Sequence, residues 1–392
     1  MNPSKKSIKT RSLATFCAFH FLDDGFTDSI YLLLPFIAAE LSLSFSQVGL
    51  LKGIFSGSTG LFQFPLSLLG ERIGEVIVIV LGTFGLAGGF LLLSRAHTFI
   101  AILLSLILAK ATGAGQHGLS SSILSSVFEV SGRRAAMGTY NFSGDLGKVC
   151  IPFLLALMIN LWGWRQATLM LSIAGWMVGI ILYTFVSKQK DDTPSVPSMK
   201  RVNPEERGWG IQNNKKFSSL LTIGIIDISA RSALLTFLPF LLLQKGVPDT
   251  QIGFALTLLF VGGAVGKFAC GILAEWLGII PMVVGTEVLT IIGILSLTVL
   301  PPTFIWMVLP LVGIVLNGTS SVLYATVAEM ITPASRSRGY GLYYAITLGS
   351  GALSPLAFGL LTDSMGLSFT IMMTALIVII TIPLSRYLTP GS

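Results

Sequence analysis

Residues 67–74 read Ser-Leu-Leu-Gly-Glu-Arg-Ile-Gly, and residues 271–278 read Gly-Ile-Leu-Ala-Glu-Trp-Leu-Gly. Each stretch directly follows an apolar run, and in each a glutamate stands three residues before the final glycine. The two stretches lie 204 residues apart. The same short acidic turn after two distant apolar runs indicates an internal duplication of the chain.

The duplication extends well beyond these two turns. A shift of 204 residues also pairs Asp23 with Asp227, Leu34-Pro35-Phe36 with Leu238-Pro239-Phe240, Gln47 with Gln251, and Gly49 with Gly253. A shift of 203 residues then pairs Arg133 with Arg336, Gly138 with Gly341, Tyr140 with Tyr343, Pro152 with Pro355, and Gly163 with Gly366. Apolar residues match easily by chance, whereas a collinear series of Asp, Gln, Pro, Gly and Arg does not. The sequence therefore predicts two related halves.

The composition is typical of a protein embedded in a membrane. Of the 392 residues, 53% are apolar and 11% are charged, whereas soluble domains have about 45–50% apolar and about 25% charged residues. A helix that spans a bilayer needs about 20 apolar residues. Runs of this length predict spans at 13–38, 46–69, 76–95, 98–124, 136–161, 165–187, 217–243, 249–273, 279–300, 304–328, 338–362 and 367–386. We therefore expect an all-α integral membrane protein with twelve transmembrane helices in two pseudo-symmetric six-helix halves.

One long polar stretch separates the two halves. Residues 188–216 are rich in charged and polar residues and contain three prolines, a composition typical of flexible linkers. We predict an N-terminal six-helix half at 1–187, a cytoplasmic linker at 188–216 and a C-terminal six-helix half at 217–392.

The basic residues are distributed unevenly between the predicted loops. With the N-terminus in the cytoplasm, 17 of the 25 lysines and arginines lie on the cytoplasmic side and 3 on the opposite side. The positive-inside rule then predicts a multi-pass protein of the inner (cytoplasmic or plasma) membrane with both termini in the cytoplasm. The net charge of +7 reflects this topology. No basic patch interleaved with aromatic residues indicates a nucleic-acid partner.

Two motifs imitate nucleotide-binding sites. Residues 113–118 match G-x-G-x-x-G but lie in an apolar span that no strand precedes. Residues 262–268 imitate a phosphate-binding loop, but they are one residue short and have Phe268 where a magnesium-binding hydroxyl is required. We expect no cofactor, no metal site, no catalytic residue and no enzymatic activity, so uphill transport would have to use an ion gradient.

Six plus six spans around a cytoplasmic linker resemble the major facilitator superfamily, whose members carry G-x-L-A-D-R-x-G-R-K after their second helix. Residues 67–74 and 271–278 are similar to this motif, with Glu in place of Asp, Ser67 in place of the first Gly and Trp276 in place of Arg. In the family this loop stabilises one conformation through its acid and its arginine. The resemblance implies gating roles for Glu71, Arg72, Gly74, Arg133, Glu275, Gly278 and Arg336.

Two further stretches are most similar to the fosmidomycin-resistance-like branch of that superfamily. One is His20-Phe-Leu-Asp-Asp24 in helix 1, and the other is Gly144-Asp-Leu-Gly-Lys148 in helix 5. The namesake solute of this branch is a phosphonate, so the resemblance implies an anionic solute and movement out of the cell.

Charged side chains recur in the middle of the predicted spans. An ionised side chain at mid-bilayer costs at least about 2.5–3.5 kcal/mol on insertion scales, so each one is a candidate functional residue. At about 1.5 Å per residue, those at middle depth are Asp23, Asp24, Asp28, Lys110, Asp145, Lys148, Asp227 and Arg231. In the family that the chain resembles, helices 1, 4, 7 and 10 line a central cavity, helices 2, 5, 8 and 11 flank it, and helices 3, 6, 9 and 12 support it from outside.

Helical spacing places three of the titratable residues together. His20, Asp24 and Asp28 recur every four residues and so share one face of helix 1. Two carboxylates one turn apart repel each other in a low dielectric, which favours a proton on one of them. We expect Asp24 or Asp28 to carry a coupling proton, with His20 deciding which acid stays ionised and Asp145 as the next candidate. A purely structural role for these acids stays open.

A second group is expected to contact the solute. Its members are Asp23, Lys110, Gln116, His117, Asn141, Lys148, Asp227, Arg231 and Asn317. Of these, Lys148 and Arg231 are expected to bind an anionic group. The spacing of Asp227 and Arg231 also fits a local salt bridge, as does that of Asp145 and Lys148. Hydrogen bonding between helices is the alternative for the amides and for His117.

The function that fits these features is secondary active transport of a small organic solute, anionic or zwitterionic, by proton-coupled export. The expected partners are the solute, the proton and the lipid bilayer, with a monomer as the functional unit. Uptake of an organic anion by proton symport is an alternative. A receptor or assembly factor that kept the transporter fold without turnover is a second alternative, although acids and bases in both halves favour transport.

The predicted topology is tested by reporter fusions. Green fluorescent protein fused after Ser392 should fluoresce, because that end is expected in the cytoplasm, and alkaline phosphatase fused after Lys245 should be active, because that loop is expected outside. The reciprocal fusions are the controls. If the fluorescent protein is bright after Lys245 and the phosphatase is active after Ser392, the topology is opposite to the predicted one.

Overall fold

The computed structural model describes residues 3–128, 130–187, 209–332 and 336–388, with the side chains of 3–8, 130–131, 133–134, 186–187 and 336–338 outside that description. The elements are α1 (Pro3–Leu41), α2 (Phe45–Ile73), α3 (Glu75–Arg95), α4 (Phe99–Gly113), α5 (Gln116–Val127), α6 (Val130–Ser187), α7 (Asn214–Gln244), α8 (Asp249–Leu277), α9 (Ile279–Val299), α10 (Pro302–Glu329), α11 (Arg336–Met365), α12 (Leu367–Val378) and α13 (Thr381–Ser385). The predicted all-helical fold class is confirmed.

These helices correspond to the twelve predicted spans. α4 and α5 together form one apolar stretch, Phe99–Val127, and α12 and α13 form another, Leu367–Ser385. α6 contains two spans, because its backbone leaves the helical conformation at Gly163. Among the described residues, nine helical stretches are long and apolar enough to cross a bilayer. α1 is not one of these nine, and its sequence includes three aspartates in the apolar run.

The turns between helices repeat in the two halves. Gly74 begins α3 with a φ of 107°, and Gly278, its match at a shift of 204, begins α9 with a φ of 87°. Gly163 and Gly366, matched at a shift of 203, have φ values of 77° and 88°. Residues with a Cβ rarely adopt such angles. Glycines paired by the sequence therefore make the same kind of turn in both halves.

Packing divides the chain into two compact units. One contains Met1–Ile37 with Ile54–Lys200, and the other contains Ala38–Gly53 with Arg201–Ser392. In the first unit α3 packs on α4 and α6, and in the second α8 packs on α10 and α7 on α11. The predicted limits of the halves, 1–187 and 217–392, stay a prediction.

Glycines bring the paired helices of the second unit into close contact. A Cβ at Gly262 or Gly266 of α8 would overlap a backbone carbonyl oxygen of α10, and a Cβ at Gly313 of α10 would overlap the carbonyl of Leu259. The stretch that imitates a phosphate-binding loop is therefore a helix-packing surface.

Large apolar side chains cover much of the protein surface. Phe64 and Trp276 are 70% and 80% exposed, and Leu61, Val299 and Met307 are also strongly exposed. Contiguous exposed apolar surface is rare on soluble monomers. Together with the apolar helices, this surface identifies a multi-pass membrane protein.

The beginning of α2 packs on α11 within the second unit. The carboxylate of Asp363, near the end of α11, accepts hydrogen bonds from the backbone N–H groups of Phe45 and Ser46 at 2.8 and 2.9 Å. It thus satisfies two of the amide groups that the first turn of a helix leaves without a partner. A Cβ at Gly49 would overlap the carbonyl oxygen of Pro355. The two helices can approach this closely only because position 49 is glycine.

We expect Gly49→Ala to destabilise the protein, because its added methyl group would force the start of α2 away from α11. Overpacking of this kind typically costs about 1–3 kcal/mol. Gly60→Ala is the matched control in the same helix, since a Cβ there would meet no described atom within 4 Å and alanine is the better helix former. Thermal unfolding in detergent measures both variants. Equal midpoints for the two would contradict the close α2–α11 contact.

Candidate functional site

An ion pair between α1 and α6 lies at the centre of the candidate site. Lys148 Nζ lies 2.9 Å from Asp24 Oδ2, and it lies 3.4 Å from Oδ1 of Asp145, one turn away on its own helix. Asp24 is 6% exposed. Asp28 is half-buried and close enough for its charge to act on Lys148. The sequence of α1 places no lysine or arginine within a turn of Asp24, but a lysine 124 positions away in the chain reaches it from another helix.

Two glycines of α6 make this pairing possible. A Cβ at Gly144 would lie 2.6 Å from Asp24 Oδ2 and 2.6 Å from His20 Nε2, and a Cβ at Gly147 would overlap the carbonyl oxygen of Phe21. Because neither glycine has a Cβ, α6 lies directly against α1. In the stretch Gly144-Asp-Leu-Gly-Lys148, the two glycines thus allow close contact with α1, and this contact brings Lys148 within reach of Asp24.

A second ion pair joins α1 to α4. Lys110 Nζ lies 3.4 Å from Asp23 Oδ2 and donates a hydrogen bond of 2.8 Å to the hydroxyl of Thr27. Both Asp23 and Lys110 are 3% exposed. The other carboxylate oxygen of Asp23, Oδ1, has no hydrogen-bond partner among the described residues. A buried acceptor of this kind is available to a solute or to a proton.

Two histidines and a tyrosine complete the cluster. The ring of His20 stacks on that of Tyr140 at 4.1 Å and meets the ring of His117 edge-on at 4.8 Å. His117 Nε2 lies 3.4 Å from Asp23 Oδ2 and 3.5 Å from Asp24 Oδ1. The Tyr140 hydroxyl donates to Gln116 at 3.4 Å. His117 therefore contacts both aspartates at once.

The contacts of His20 constrain its protonation. Its Nδ1 lies 2.8 Å from the carbonyl oxygen of Tyr140, and its Nε2 lies 3.3 Å from Asp24 Oδ2. A carbonyl oxygen and a carboxylate oxygen can only accept, whereas a neutral imidazole has only one N–H to donate. Both contacts are hydrogen bonds at the same time only when the pair of His20 and Asp24 holds one proton more than a neutral histidine beside an ionised aspartate. Either the imidazolium or the protonated carboxyl satisfies this geometry.

The same group also has the geometry of a cation site. The ligand atoms of His20, Asp24 and His117 lie within 4.8 Å of one another. The ammonium group of Lys148 already supplies positive charge 2.9 Å from Asp24. In this arrangement Lys148 compensates the charge of the Asp24 carboxylate.

The second unit contains a smaller polar cluster around α7. Arg231 donates to Asn317 Oδ1 at 3.4 Å and to Ser320 Oγ at 3.2 Å, both on α10. Its distance to Asp227 Oδ2 is 4.0 Å, so that local salt bridge is long. Arg231 is thus held between α7 and α10.

Sequence reasoning missed Glu287 of α9. Its side chain is 1% exposed, and the charges of Asp227 and Arg231 act on it. The signal was available, because it is the one carboxylate of the predicted span 279–300 and an acid inside a membrane span is a functional candidate. The roles of Tyr140, Ser320 and Thr27 were missed as well.

The remaining predicted residues are less closely involved. Asn141 is exposed, and within the described residues no hydrogen bond or ion pair joins it to the clusters. Glu71, Arg72 and Glu275 are exposed at helix ends, and within the described side chains no ion pair joins them. The side chains of Arg133 and Arg336 lie outside the described residues. The gating assignment therefore stays a prediction, with the turns at Gly74 and Gly278 as its structural element.

Comparison with known proteins gives the same picture over nearly the whole chain. The fosmidomycin resistance protein of Escherichia coli K12 is 23% identical and covers 88% of this chain and 84% of its own length. A probable L-galactonate transporter of the same organism is 22% identical and covers 62% of this chain and 56% of its own length. The crystal structure of a bacterial homologue of the human lysosomal transporter Spinster, inward-facing and occupied, has a TM-score of 0.82 at 17% identity and covers 99% of this chain and 97% of that one.

A family model describes both halves of the chain. It matches residues 16–222 and again residues 220–391, so each six-helix half is recognised separately. With the apolar helices, the repeated turns and the similar proteins, this match shows that the chain belongs to the Major Facilitator Superfamily of membrane transporters.

Proposed function

We propose that this transporter couples proton movement to the passage of a small organic anion or zwitterion across the cytoplasmic membrane, working as a monomer with both termini in the cytoplasm. The proposed proton site is the pair of His20 and Asp24, supported by Asp28 and Asp145. The proposed solute-binding cations are Lys148 and Arg231.

The observation that carries the proposal is the double contact of His20. With acceptors at 2.8 and 3.3 Å on its two ring nitrogens, the pair cannot satisfy both contacts without an extra proton. Loss of that proton would leave a lone pair facing a carboxylate in a site from which water is largely excluded. The protonated and deprotonated pairs would thus favour different conformations, and such a difference in preference is what couples a proton gradient to a conformational cycle.

Lys148 links the proton to the solute. Its closest acid is Asp24, at 2.9 Å. A proton on Asp24 removes one of the charges that hold Lys148, so the ammonium group becomes more available to an anion. Arg231 donates hydrogen bonds to two neutral groups, the amide of Asn317 and the hydroxyl of Ser320. An anionic carboxylate or phosphonate would be a stronger partner for it than either.

Two directions of transport have separate support. Similarity to the fosmidomycin resistance protein favours export by antiport. In antiport the solute and the proton must compete for binding, and the cationic group of a zwitterion would compete with the proton for Asp24. The link between Lys148 and Asp24 favours symport instead, because there a proton and an anion bind together. The similarity to a probable L-galactonate transporter supports an anionic solute in this second case.

Replacement of Asp24 by Asn tests the proton site. We expect Asp24→Asn to lower the uphill accumulation of solute in proteoliposomes about tenfold or more, equivalent to about 1.4 kcal/mol, while exchange between labelled and unlabelled solute continues. The reason is that an amide cannot gain or lose the coupling proton. Radiolabelled fosmidomycin and L-galactonate are the probes.

Two control variants accompany Asp24→Asn. Lys148→Gln should weaken solute binding itself, and Asp24→Asn with Lys148→Gln removes both charges without leaving one buried and unpaired. If Asp24→Asn accumulates either probe as fast as the unmodified protein, the coupling site is elsewhere.

The sign of an imposed pH step decides the direction. Proteoliposomes with an acidic interior should accumulate the probe if the protein is an antiporter, and those with an alkaline interior should accumulate it if the protein is a symporter. The Asp24→Asn protein in the same vesicles shows the uncoupled background. If neither step drives accumulation of either probe, proton coupling to these solutes is wrong.

A further inference from the structure

Two buried polar atoms in the second unit have no hydrogen-bond partner among the described residues. They are Oε1 of Glu287 and Oγ1 of Thr290, which lie one turn apart on α9. Glu287 is 1% exposed and Thr290 is 3% exposed. A buried carboxylate without partners would lose its hydration and gain nothing in return. Glu287 therefore requires either a counter-charge or a proton.

The charges that act on Glu287 come from α7. They are the negative charge of Asp227 and the positive charge of Arg231. The elements that pack against α9 are α8, α10, α12 and α13. The charged and titratable residues of α8 are Asp249, Lys267, Cys270 and Glu275, those of α10 are Tyr324 and Glu329, and α12 and α13 have none. Asp249, Glu275 and Glu329 lie at the ends of their helices, whereas Glu287 lies near the middle of α9.

With both acids ionised, the group of Asp227, Glu287 and Arg231 would carry one uncompensated negative charge. Asp227 and Glu287 are two acids, and Arg231 is the one base whose charge acts on Glu287. Arg231 lies 4.0 Å from Asp227, whereas no ion pair within 4.0 Å joins Glu287 to a described cation. An uncompensated charge at this depth costs at least about 2.5–3.5 kcal/mol on insertion scales. A single proton on Glu287 removes that cost, and Arg231 then compensates the charge of Asp227.

We propose that Glu287 is a second proton-binding site, located in the C-terminal half, which holds a proton in this conformation and exchanges it as the surroundings of Asp227 and Arg231 change. An anion on Arg231 would alter those surroundings directly, which connects the site to the solute. The inference rests on the proposed proton coupling and extends it from one proton site to two.

The proposed site is not part of the internal repeat. At a shift of 204 residues the counterpart of Glu287 is Thr83 of α3, whose hydroxyl donates to the carbonyl oxygen of Ile79 at 3.0 Å. The N-terminal half thus satisfies this position with a local hydrogen bond, and its own acids lie on α1 and α6. Each half has a titratable acid near a base, but the two halves carry it on different helices.

Infrared spectroscopy of the purified protein tests the proposal without any solute. In a detergent that lacks carbonyl groups, the unmodified protein at neutral pH should show the C=O stretching band of a protonated carboxylic acid. Glu287→Gln should remove that band, whereas Asp227→Asn and the exposed control Glu329→Gln should retain it. The band should shift in D₂O and disappear as the pH is raised, because a site that exchanges protons must titrate.

A measurement on the unmodified chain covers the case in which Glu287→Gln fails to fold. Labelling glutamate with ¹³C should shift the acid band, since Glu287 is the one buried glutamate among the described residues, whereas labelling aspartate should leave the band in place. The absence of an acid band that shifts with the glutamate label, or a glutamate band that neither exchanges nor titrates, would overturn the proposal. An additional band that follows the aspartate label would report a protonated aspartate such as Asp24. These outcomes are independent of the Asp24→Asn transport assay, so either idea can fail alone.

Discussion

Charge buried in a bilayer is costly unless it finds an opposite charge or several hydrogen bonds, and this requirement determines how the helices of each half are arranged. In the N-terminal half it ties α1 to α6 through Asp24 and Lys148 at 2.9 Å, and α1 to α4 through Asp23 and Lys110 at 3.4 Å. The glycines of α6 that face α1 serve the same requirement, because a lysine can reach Asp24 only if the two backbones lie close together. The polar residues are thus part of the packing of these helices.

The two halves compensate their buried charges differently, although their helix order and turns repeat. Asp23 and Asp227 are matched in sequence and both are buried, yet the base beside Asp23 comes from α4 and the base beside Asp227 lies one turn away on the same helix. At a shift of 203 the counterpart of Lys110 is Gly313, which brings α10 against α8. A duplicated fold keeps helix order and turns, such as those at Gly74 and Gly278, while the charges at equivalent positions diverge. The N-terminal half has become the richer in titratable groups.

Sequence alone was sufficient for the fold and for part of the site. Composition and apolar runs gave the twelve spans, and the repeat gave the two halves, because both depend on local hydrophobicity and on chain order. The local pairs were also foreseen, since residues three or four apart share a helix face. The pairing of Asp24 with Lys148 was not, because it depends on how two helices rotate and approach each other. The role of Asn141 stays a prediction, since its depth fits the site but its side chain is exposed.

The lengths of the ion pairs suggest which of them can be exchanged during transport. With an effective dielectric constant of about 20, two unit charges at 3–4 Å attract each other by about 4–6 kcal/mol before the cost of desolvation is subtracted. A proton on Asp24 removes the attraction across 2.9 Å for Lys148 and leaves that of Asp145 at 3.4 Å on its own helix. Lys148 would then turn toward its own helix or toward an anion. Arg231, by contrast, is 4.0 Å from Asp227 and donates hydrogen bonds to two neutral side chains, and in the proposed mechanism an anion would be a stronger acceptor than either of these. In the proposed mechanism, proton binding would therefore precede solute contact at Lys148 but not at Arg231, so the coupling step is proposed for the N-terminal half.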